Sequence, residues 1–423
     1  MFGPVKIKLI LVVVGLLVLV IFGWWLYPNN KNGDGGIFTA PGTTGEFFPG
    51  GEERLVEEPS NNQNTSTSSS PLISERLQQV ALRPVAGAAL WSVGDSDAVV
   101  FMERATGHLY RFNPHTAPVR LSQTTIPKVY GLQLASPDPE TLNIFLTYLK
   151  DSRLQHFWGQ LKVATSSITG DDFLDTGEEL PNVEGRVLPD GVLDWSLSPN
   201  QQAVFILERA GNQVRGSVVK LKDHATEQVF TSRFFDWQPD WQGTTTIGLQ
   251  TKPSAKTAGF LYEFDLDKKT LEPVLGGVPG LLTRRHPNQS KIVYSGNLGA
   301  ELVFGLFDPT EAIFHRLPIK TLADKCNFNY DGSYLYCGVP TELPPGSYPD
   351  DWYSGQISFT DNVWRINPNT YQSELIFSPS LANLPITLDL TSVFLSRDGQ
   401  QLYFINKHDS LLWVLNLTSG FVE

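Results

Sequence analysis

The chain has 423 residues, a formal net charge of -12 and 41% hydrophobic residues. A chain of this length and apolar content can bury a large core, which excludes disorder throughout. The acidic balance, without a cluster of Lys and Arg to replace phosphate counterions, argues against a nucleic-acid partner.

The N-terminal region contains the first predicted element, a membrane-spanning helix. Residues Leu9–Tyr27 form a run of 19 residues without a charge, and about twenty helical residues suffice to cross a hydrocarbon core. Two lysines precede the run and two tryptophans lie near its end. This arrangement predicts a cytoplasmic segment (1–8), one uncleaved transmembrane helix (9–27) and an extracytoplasmic remainder. A cleaved signal peptide is the alternative, but the apolar run exceeds its usual length of roughly 7–15 residues.

Residues 28–74 differ sharply in composition from the helix before them. They are rich in Gly, Pro, Asn and Ser, as in "NNKNGDGG" and "SNNQNTSTSSS". Such a segment buries too little apolar surface to offset the entropy of ordering it. We expect a flexible linker that tethers the following domain to the membrane.

The remainder, 75–423, repeats one pattern seven times. An apolar strand enters a turn of Pro, Asp, Asn and Gly, and an alternating strand leaves it, which is typical of a β-hairpin. The seven hairpins are "WSVGDSDAVVF", "ASPDPETLNIFL", "LSPNQQAVFI", "QPDWQGTTTIGL", "RHPNQSKIVYS", "NYDGSYLYC" and "SRDGQQLYFI". Most lie about forty to fifty residues apart, and two longer intervals indicate insertions.

A second repeated phrase predicts a third strand in each unit. Examples are "HLYRFNPHT" from His108 and "NVWRINPNT" from Asn362, each followed by a tight turn and a short fourth strand. Four antiparallel strands at this period favour an all-β, seven-bladed β-propeller, because one small sheet hides both faces only by stacking on its neighbours. A pair of β-sandwiches is the alternative, which the regular period disfavours.

The two ends of this domain predict how the ring closes. The last blade ends at "WVLNLTSGFVE", where the sequence stops too early for a complete fourth strand. The segment "ERLQQVALRPV" from Glu75 occupies the place that a fourth strand takes in the other repeats. We therefore expect it to pair with the C-terminal blade and leave no open edge.

The turns "SPN", "SPD", "RDG" and "YDG", each followed by an aromatic-rich strand, resemble the PD40 (WD40-like) repeats of TolB-type propellers. The resemblance covers the chain from about Glu75 onward and departs from the "W-S-P-D-G" consensus in every blade. It implies an envelope-associated interaction protein without fixing a ligand, since propellers of this type serve as scaffolds, binding modules and accessory domains of hydrolases.

The inner strands contain the first group of candidate binding residues. Aligning the repeats puts a polar side chain at one equivalent position in five blades: Ser92, Ser196, Asp236, Arg284 and Asn327. One interpretation is structural, with these side chains satisfying backbone groups and Asp236 and Arg284 on adjacent blades forming an ion pair. The other is a polar channel that binds a small ligand or ion.

Catalytic signals are weak. The chain lacks G-x-S-x-G, H-E-x-x-H, P-loop and dinucleotide-binding patterns. Its seven His residues show no metal-ligand spacing, so neither a catalytic residue, a metal nor a cofactor is predicted. The triplet "RRH" at 284–286 suggests an anion site, although a structural role is favoured.

The two cysteines bracket one hairpin turn. Cys326 and Cys337 lie on facing strands, either directly opposite or displaced by about two positions. A disulfide fits only the directly opposed register of an exported domain. Free buried thiols are the favoured alternative.

The insertion Pro340–Asn362, "PTELPPGSYPDDWYSGQISFTDN", supplies the second group of candidate binding residues. Tyr348, Trp352 and Tyr353 lie among acidic, Pro and Gly residues. Exposed aromatic rings bury contact area with little loss of entropy, so the loop is a candidate recognition surface. A loop that folds back over the propeller and buries Trp352 is the equal alternative.

Two functions of different classes follow. The first is a single-pass, membrane-tethered, extracytoplasmic propeller that binds a protein, peptide or glycan of the cell envelope. The second is an enzyme that uses a propeller mouth, such as a glycan hydrolase or lyase. The first is favoured, because no nucleophile or acid is paired with a convincing base.

Overall fold

The computed structural model describes residues 74–93, 96–114, 116–138, 140–163 and 180–418. The predicted cytoplasmic segment (1–8), the transmembrane helix (9–27) and the linker up to residue 73 lie outside these residues and stay predictions. Within the described ranges, no helix has both the length and the apolar character needed to cross a membrane.

The described strands form seven four-stranded antiparallel sheets, which are the blades of a propeller. The first three blades are β2 (Val85–Val93), β3 (Ser96–Glu103), β4 (Leu109–Phe112) and β5 (Val119–Arg120); β6 (Val129–Asp138), β7 (Thr141–Lys150), β8 (Arg153–Lys162) and β9 (Glu184–Val187); and β10 (Val192–Leu197), β11 (Ala203–Ala210), β12 (Gln213–Lys220) and β13 (Thr226–Ser232).

The next three blades follow the same order from the inner to the outer strand. They are β14 (Trp237–Trp241), β15 (Thr246–Thr251), β16 (Ala258–Asp265) and β17 (Thr270–Pro279); β18 (Leu282–Arg284), β19 (Ile292–Leu298), β20 (Glu301–Asp308) and β21 (Ile313–Arg316); and β22 (Cys326–Phe328), β23 (Leu335–Pro340), β24 (Asp361–Ile366) and β25 (Ser373–Phe377). A 3-10 turn, Ala323–Lys325, precedes β22, and one short helix, α1 (Asp350–Tyr353), lies between β23 and β24.

The seventh blade is completed by the N-terminal segment, as predicted. Its strands are β26 (Leu390–Leu395), β27 (Gln401–Asn406) and β28 (Leu411–Asn416), and β1 (Leu77–Gln79) is the outer strand. Leu77 pairs with Leu415 and is fully buried. This N-terminal strand, which we call the clasp, therefore covers the edge of β28 that would otherwise be open.

The cores lie between blades rather than inside separate layers. Seven clusters of buried apolar side chains each join two neighbouring blades, and the series runs from the first blade round to the seventh and back to the first. One example is Phe145 of the second blade, whose ring centroid lies 6.2 Å from that of Trp195 in the third. This radial packing confirms the propeller and excludes face-to-face sandwiches.

The second strand of each blade is apolar on both faces because a neighbouring blade covers each face. In β11, for example, Val204, Phe205 and Leu207 are all fully buried. The fourth strands are far more exposed, as in β21, where three of four residues are exposed. Burial is thus greatest at the second strand, lower at the inner strand and lowest at the outer edge.

The sequence alignment was wrong in the fourth blade. Its turn follows Trp241, since the backbone N–H of Gln242 and that of Gly243 both donate to the carbonyl oxygen of Thr246. The Pro239-Asp240 pair, taken as the turn, lies within β14. That strand pairs only with β15, and Pro is tolerated in an edge strand because its missing N–H faces away from the ladder.

Asp194, on β10, provides a test of how burial affects stability. Its carboxylate accepts a hydrogen bond from the backbone N–H of Trp195 at 2.8 Å, and burial raises its pKa to about 6. An unfolded Asp titrates near pH 3.9, so the folded protein binds more protons between about pH 4 and 6 and loses stability as pH rises through this window.

We expect Asp194→Asn to raise the free energy of unfolding at pH 7 by about 1–2 kcal/mol and to leave it nearly unchanged at pH 4. A two-unit shift corresponds to about 3 kcal/mol, and water at the half-buried carboxyl reduces this. Urea unfolding of both proteins at the two pH values measures the difference. A variant less stable than the wild type at pH 7 would contradict the assignment.

Candidate functional site

The insertion between β23 and β24 forms a strap, residues 341–360, across one end of several blades. Its base is closed by the backbone N–H of Thr341, which donates to the carbonyl oxygen of Thr360 at 2.8 Å. Asp350 accepts a hydrogen bond from the backbone N–H of Ala255, in a loop of the fourth blade, at 2.9 Å. The side-chain amide of Asn297, in the fifth blade, donates to the carbonyl oxygen of Tyr348 at 2.6 Å. The strap is therefore held by neighbouring blades as well as its own.

A fully buried ion cluster lies beneath the strap. Lys325 contacts the carboxylates of Asp361, at 2.7 Å, and Asp389. All three side chains have zero exposure. Burial raises the pKa of Asp361 to about 6, although the adjacent ammonium opposes this shift. Gly338 makes room for the cluster, since a Cβ there would lie 2.7 Å from the Asp361 carboxylate.

Trp352 of α1 connects the strap to this cluster. Its indole N–H lies 3.1 Å from each carboxylate oxygen of Asp389, and the ammonium of Lys325 lies 5.0 Å from its ring centroid. The ammonium of Lys407 approaches the same ring at 4.8 Å and donates to the Trp352 carbonyl oxygen. The indole is thus fixed by cation–π contacts and charge-assisted hydrogen bonds.

A cavity of about 370 Å³, the strap pocket, opens beside Trp352. It lies where the strap meets inner-strand residues and loops of the fifth, sixth and seventh blades. Its polar lining residues include Arg284, Asp324, Asn327, Tyr353, Ser392 and Lys407.

The charges of the strap pocket are only partly compensated. Arg284 contacts Asp324 at 3.4 Å, at the long end of the hydrogen-bond range. The guanidinium Nε of Arg284 is buried without a partner among the described residues. The hydroxyl of Tyr353 donates to the other oxygen of Asp324, and burial, together with that carboxylate, holds the Tyr353 pKa well above its usual value. Burial lowers the pKa of Lys407 to about 8.

A β-bulge forms another wall of the strap pocket. The pairing of β26 with β27 skips from Thr391 to Phe394, and Ser392 has a φ of 51°. A left-handed conformation is costly for a residue with a Cβ, and such strain clusters at functional sites. The side-chain amide of Asn327 donates to the carbonyl oxygen of Val393 at 2.9 Å and so links the bulge to the sixth blade.

The structure brings together four of the predicted site residues: Arg284, Asn327, Trp352 and Tyr353 all line the strap pocket. The suggested ion pair between Asp236 and Arg284 is wrong, because the arginine pairs with Asp324.

The remaining inner-strand candidates lie elsewhere. Asp236 is exposed just before β14, and Asp240 occupies the position equivalent to Ser196. The hydroxyl of Ser196 accepts a hydrogen bond from the backbone N–H of Trp241 at 2.8 Å, a structural link between blades. Ser92 lies on β2, opposite Asp97, and its side chain is outside the described residues.

Two aromatic rings of the strap are buried, which corrects the idea of an exposed recognition loop. Tyr348 is 6% exposed and Trp352 is 3% exposed. The alternative in which the loop folds back over the propeller is the one observed. Tyr353 remains partly exposed and lines the strap pocket.

The preference for free thiols is also wrong. Cys326 and Cys337 are directly opposed in the register of β22 and β23 and form a disulfide. Cys326 lines the strap pocket. The covalent link therefore holds the two strands next to the site together.

Reduction of this disulfide is expected to lower the free energy of unfolding by about 2–3 kcal/mol, because a short loop regains entropy in the unfolded chain. The two cysteines are 11 positions apart. Equilibrium unfolding with and without reductant measures the effect, and a double variant, Cys326→Ala with Cys337→Ala, should be insensitive to reductant. Equal wild-type midpoints in both conditions would refute the stabilising role.

Several residues of the site were missed from the sequence. Asp324, Lys325, Ser392 and Lys407 carried no motif. The stretch "KTLADKCNF" gave no usable signal, since Lys325 stands there among other polar and charged residues.

Within the described part of the chain, no group of three or more His, Cys, Asp and Glu side chains is arranged to hold a metal ion.

Comparison with known proteins supports the fold. No protein-family model matches the sequence, and no curated protein matches it. Similar solved structures include an oligogalacturonate lyase in complex with manganese, at 13% identity and a TM-score of 0.52, covering 83% of this chain and 96% of that chain. Another is the oligogalacturonate lyase of Vibrio parahaemolyticus, at 11% identity and a TM-score of 0.53, covering 82% and 94%. TolB from Acinetobacter baumannii is also among the neighbours, at 12% identity and a TM-score of 0.38, covering 79% and 80%.

Proposed function

We propose that the protein is a membrane-tethered, extracytoplasmic propeller that binds a protein, peptide or glycan of the cell envelope in the strap pocket. The observation that carries this proposal is the cavity itself, in which an incompletely paired guanidinium, that of Arg284, lies beside a strained bulge at Ser392. Polar groups converging on a concave site are the usual mark of a ligand site.

The strap pocket is also rigidly supported. Trp352 forms one wall and is held from below by Lys325 and Asp389. A site whose wall is fixed before the ligand arrives loses less entropy on binding. Burial of three charges under the strap has no evident advantage for folding alone, since a buried ion cluster is weak evidence for stability. The role of the buried cluster is then to hold the wall of the ligand site in place before the ligand binds.

Two observations support the extracytoplasmic location. Disulfides persist mainly in oxidising compartments, and Cys326–Cys337 is one. The uncharged run Leu9–Tyr27, with lysines before it, has the length and flanks of a transmembrane anchor oriented with its N-terminus inside. The composition of 28–74 fits a tether that lets the propeller reach partners away from the bilayer.

The proposal is tested by photo-crosslinking from the full-length protein in the membranes of its own cells. A photoreactive residue at Ser392, which lines the strap pocket, should give a defined adduct. Adding Arg284→Gln should reduce that adduct. The control position is Glu227, exposed on the outer strand β13, where no defined adduct is expected. Equal adducts from both positions, or none from Ser392, would overturn the proposal.

An enzymatic function is favoured by one observation, the lowered pKa of Lys407, about 8, at the wall of the strap pocket. A lysine with such a pKa suits general-base chemistry. Two proteins of similar fold are named oligogalacturonate lyases, so oligogalacturonate is a reasonable first substrate. Shortening of this glycan by the full-length protein, abolished by Lys407→Gln, would favour the enzyme; unchanged glycan would favour binding.

A further inference from the structure

We infer that the strap pocket binds a carboxylate of a peptide between Arg284 and Lys407, with the bulge of β26 contacting the peptide main chain. This inference rests on the proposed binding function and names the ligand class. Carboxylates occur in peptides at the C-terminus and on Asp and Glu side chains, and both present the same oxyanion to the site.

Arg284 provides the first reason. A guanidinium has five N–H donors in a planar fork that matches a carboxylate. Among the described residues its guanidinium makes one long contact, 3.4 Å, to Asp324, and its Nε is buried there without a partner. A buried donor without a partner carries a desolvation cost, which an incoming oxyanion removes.

Lys407 provides the second reason. Its ammonium lines the same cavity, and an ammonium has three N–H donors. Among the described residues one hydrogen-bond acceptor is found for it, the carbonyl oxygen of Trp352. A second cation lining the same cavity increases the potential that attracts an anion.

Asp324 explains how the site stays folded without ligand. Its carboxylate partly neutralises Arg284 and also accepts the hydroxyl of Tyr353. The weak geometry of the arginine contact means that a ligand carboxylate can form shorter hydrogen bonds without breaking a strong existing pair. Asp324 also offers an acceptor for an N–H of the ligand.

The bulge favours a peptide over a glycan. Ser392 and Val393 have no partner in the register of β27. Since the Asn327 amide already occupies the Val393 carbonyl oxygen, a peptide would use the main chain around Ser392, which the bulge leaves outside the ladder. β26 is the inner edge of its blade, where an extended peptide can form main-chain hydrogen bonds.

Equilibrium dialysis against the full-length protein in detergent tests the inference. Three pools of N-acetylated tetrapeptides serve as probes: a free C-terminus without acidic residues, an amidated C-terminus with one Asp or Glu, and an amidated C-terminus without acidic residues. Trigalacturonate is the glycan probe. Mass spectrometry quantifies what is retained. The first two pools distinguish the sources of the carboxylate.

We expect at least one carboxylate pool to be retained roughly tenfold or more above the neutral pool, the effect of about one charge-assisted hydrogen bond. Arg284→Gln and Lys407→Gln should each remove most of this preference, and Arg284→Lys should restore part of it. Lys320→Gln is the matched control, since Lys320 is exposed and outside the strap pocket. Thermal unfolding checks that each variant is folded.

Equal retention of all three pools, or binding that Arg284→Gln leaves unchanged, would overturn the inference. Binding of trigalacturonate alone would replace the peptide with an acidic glycan. If no pool binds while the crosslink from Ser392 still captures a partner, the carboxylate inference fails and the proposed function stands. If the crosslink from Ser392 also fails, both the carboxylate inference and the proposed function are wrong.

Discussion

Lys325→Met is expected to lower the free energy of unfolding by about 3–5 kcal/mol, because it leaves two carboxylates buried without their cation. Asp361 and Asp389 both have zero exposure and both contact this ammonium. Chemical denaturation at pH 7 measures the loss. Met fills a similar volume, so the change in packing is small relative to the loss of charge.

The control is Lys320→Met, five positions earlier, where the side chain is 44% exposed and the expected change is within about 0.5 kcal/mol. The loss in Lys325→Met should shrink at pH 5. Without the ammonium, which opposes the upward shift, the pKa of Asp361 rises further, and protonation at lower pH removes uncompensated charge. A loss below about 1 kcal/mol at pH 7 would show that the cluster is not the anchor of the strap.

The second large effect is expected at β1, the N-terminal strand that completes the seventh blade. Leu77→Asp should lower the free energy of unfolding by about 3–5 kcal/mol, since it removes a buried side chain and places a charge in an apolar contact. Leu77 is fully buried and packs in the cluster that joins the sixth and seventh blades. Chemical denaturation of the full-length protein measures the change.

Leu82 provides a matched control in the same segment. It is 64% exposed, so Leu82→Asp should change stability by less than about 0.5 kcal/mol. Similar effects of the two substitutions would mean that β1 does not close the ring. A large effect at Leu77 alone supports closure by the N-terminal strand.

The blades could be predicted because the formation of a hairpin turn depends on a few adjacent residues. The turn "SPN" is one example: the hydroxyl of Ser198 accepts the backbone N–H of Ala203 at 2.9 Å, which fixes the hairpin locally. The turn of the fourth blade was predicted wrongly because Pro239-Asp240 has the same residue types as a turn. Its position on an edge strand, a non-local property, overrides that preference.

The strap pocket was only partly predictable. Arg284 and Asn327 could be found because they occupy a repeated position, and Tyr353 because the insertion breaks the repeat. Asp324 and Lys407 could not, since they lie far apart in sequence and line one cavity only in the folded propeller. The position of the strap depends on the buried cluster of Lys325 with Asp361 and Asp389. No local sequence pattern indicates that these residues pair.

Hydrogen exchange across residues 341–360 of the full-length protein tests most directly whether the strap is a fixed wall of the ligand site. The backbone N–H of Phe359 donates to Asp389 at 2.9 Å, and that of Tyr353 donates to the carbonyl oxygen of Pro349 at 2.9 Å. We expect both amides to exchange nearly as slowly as those of β23 and β27, and to exchange faster in Lys325→Met. Exchange of the whole strap at the rate of an unstructured chain, beside protected blades, would contradict a preformed pocket.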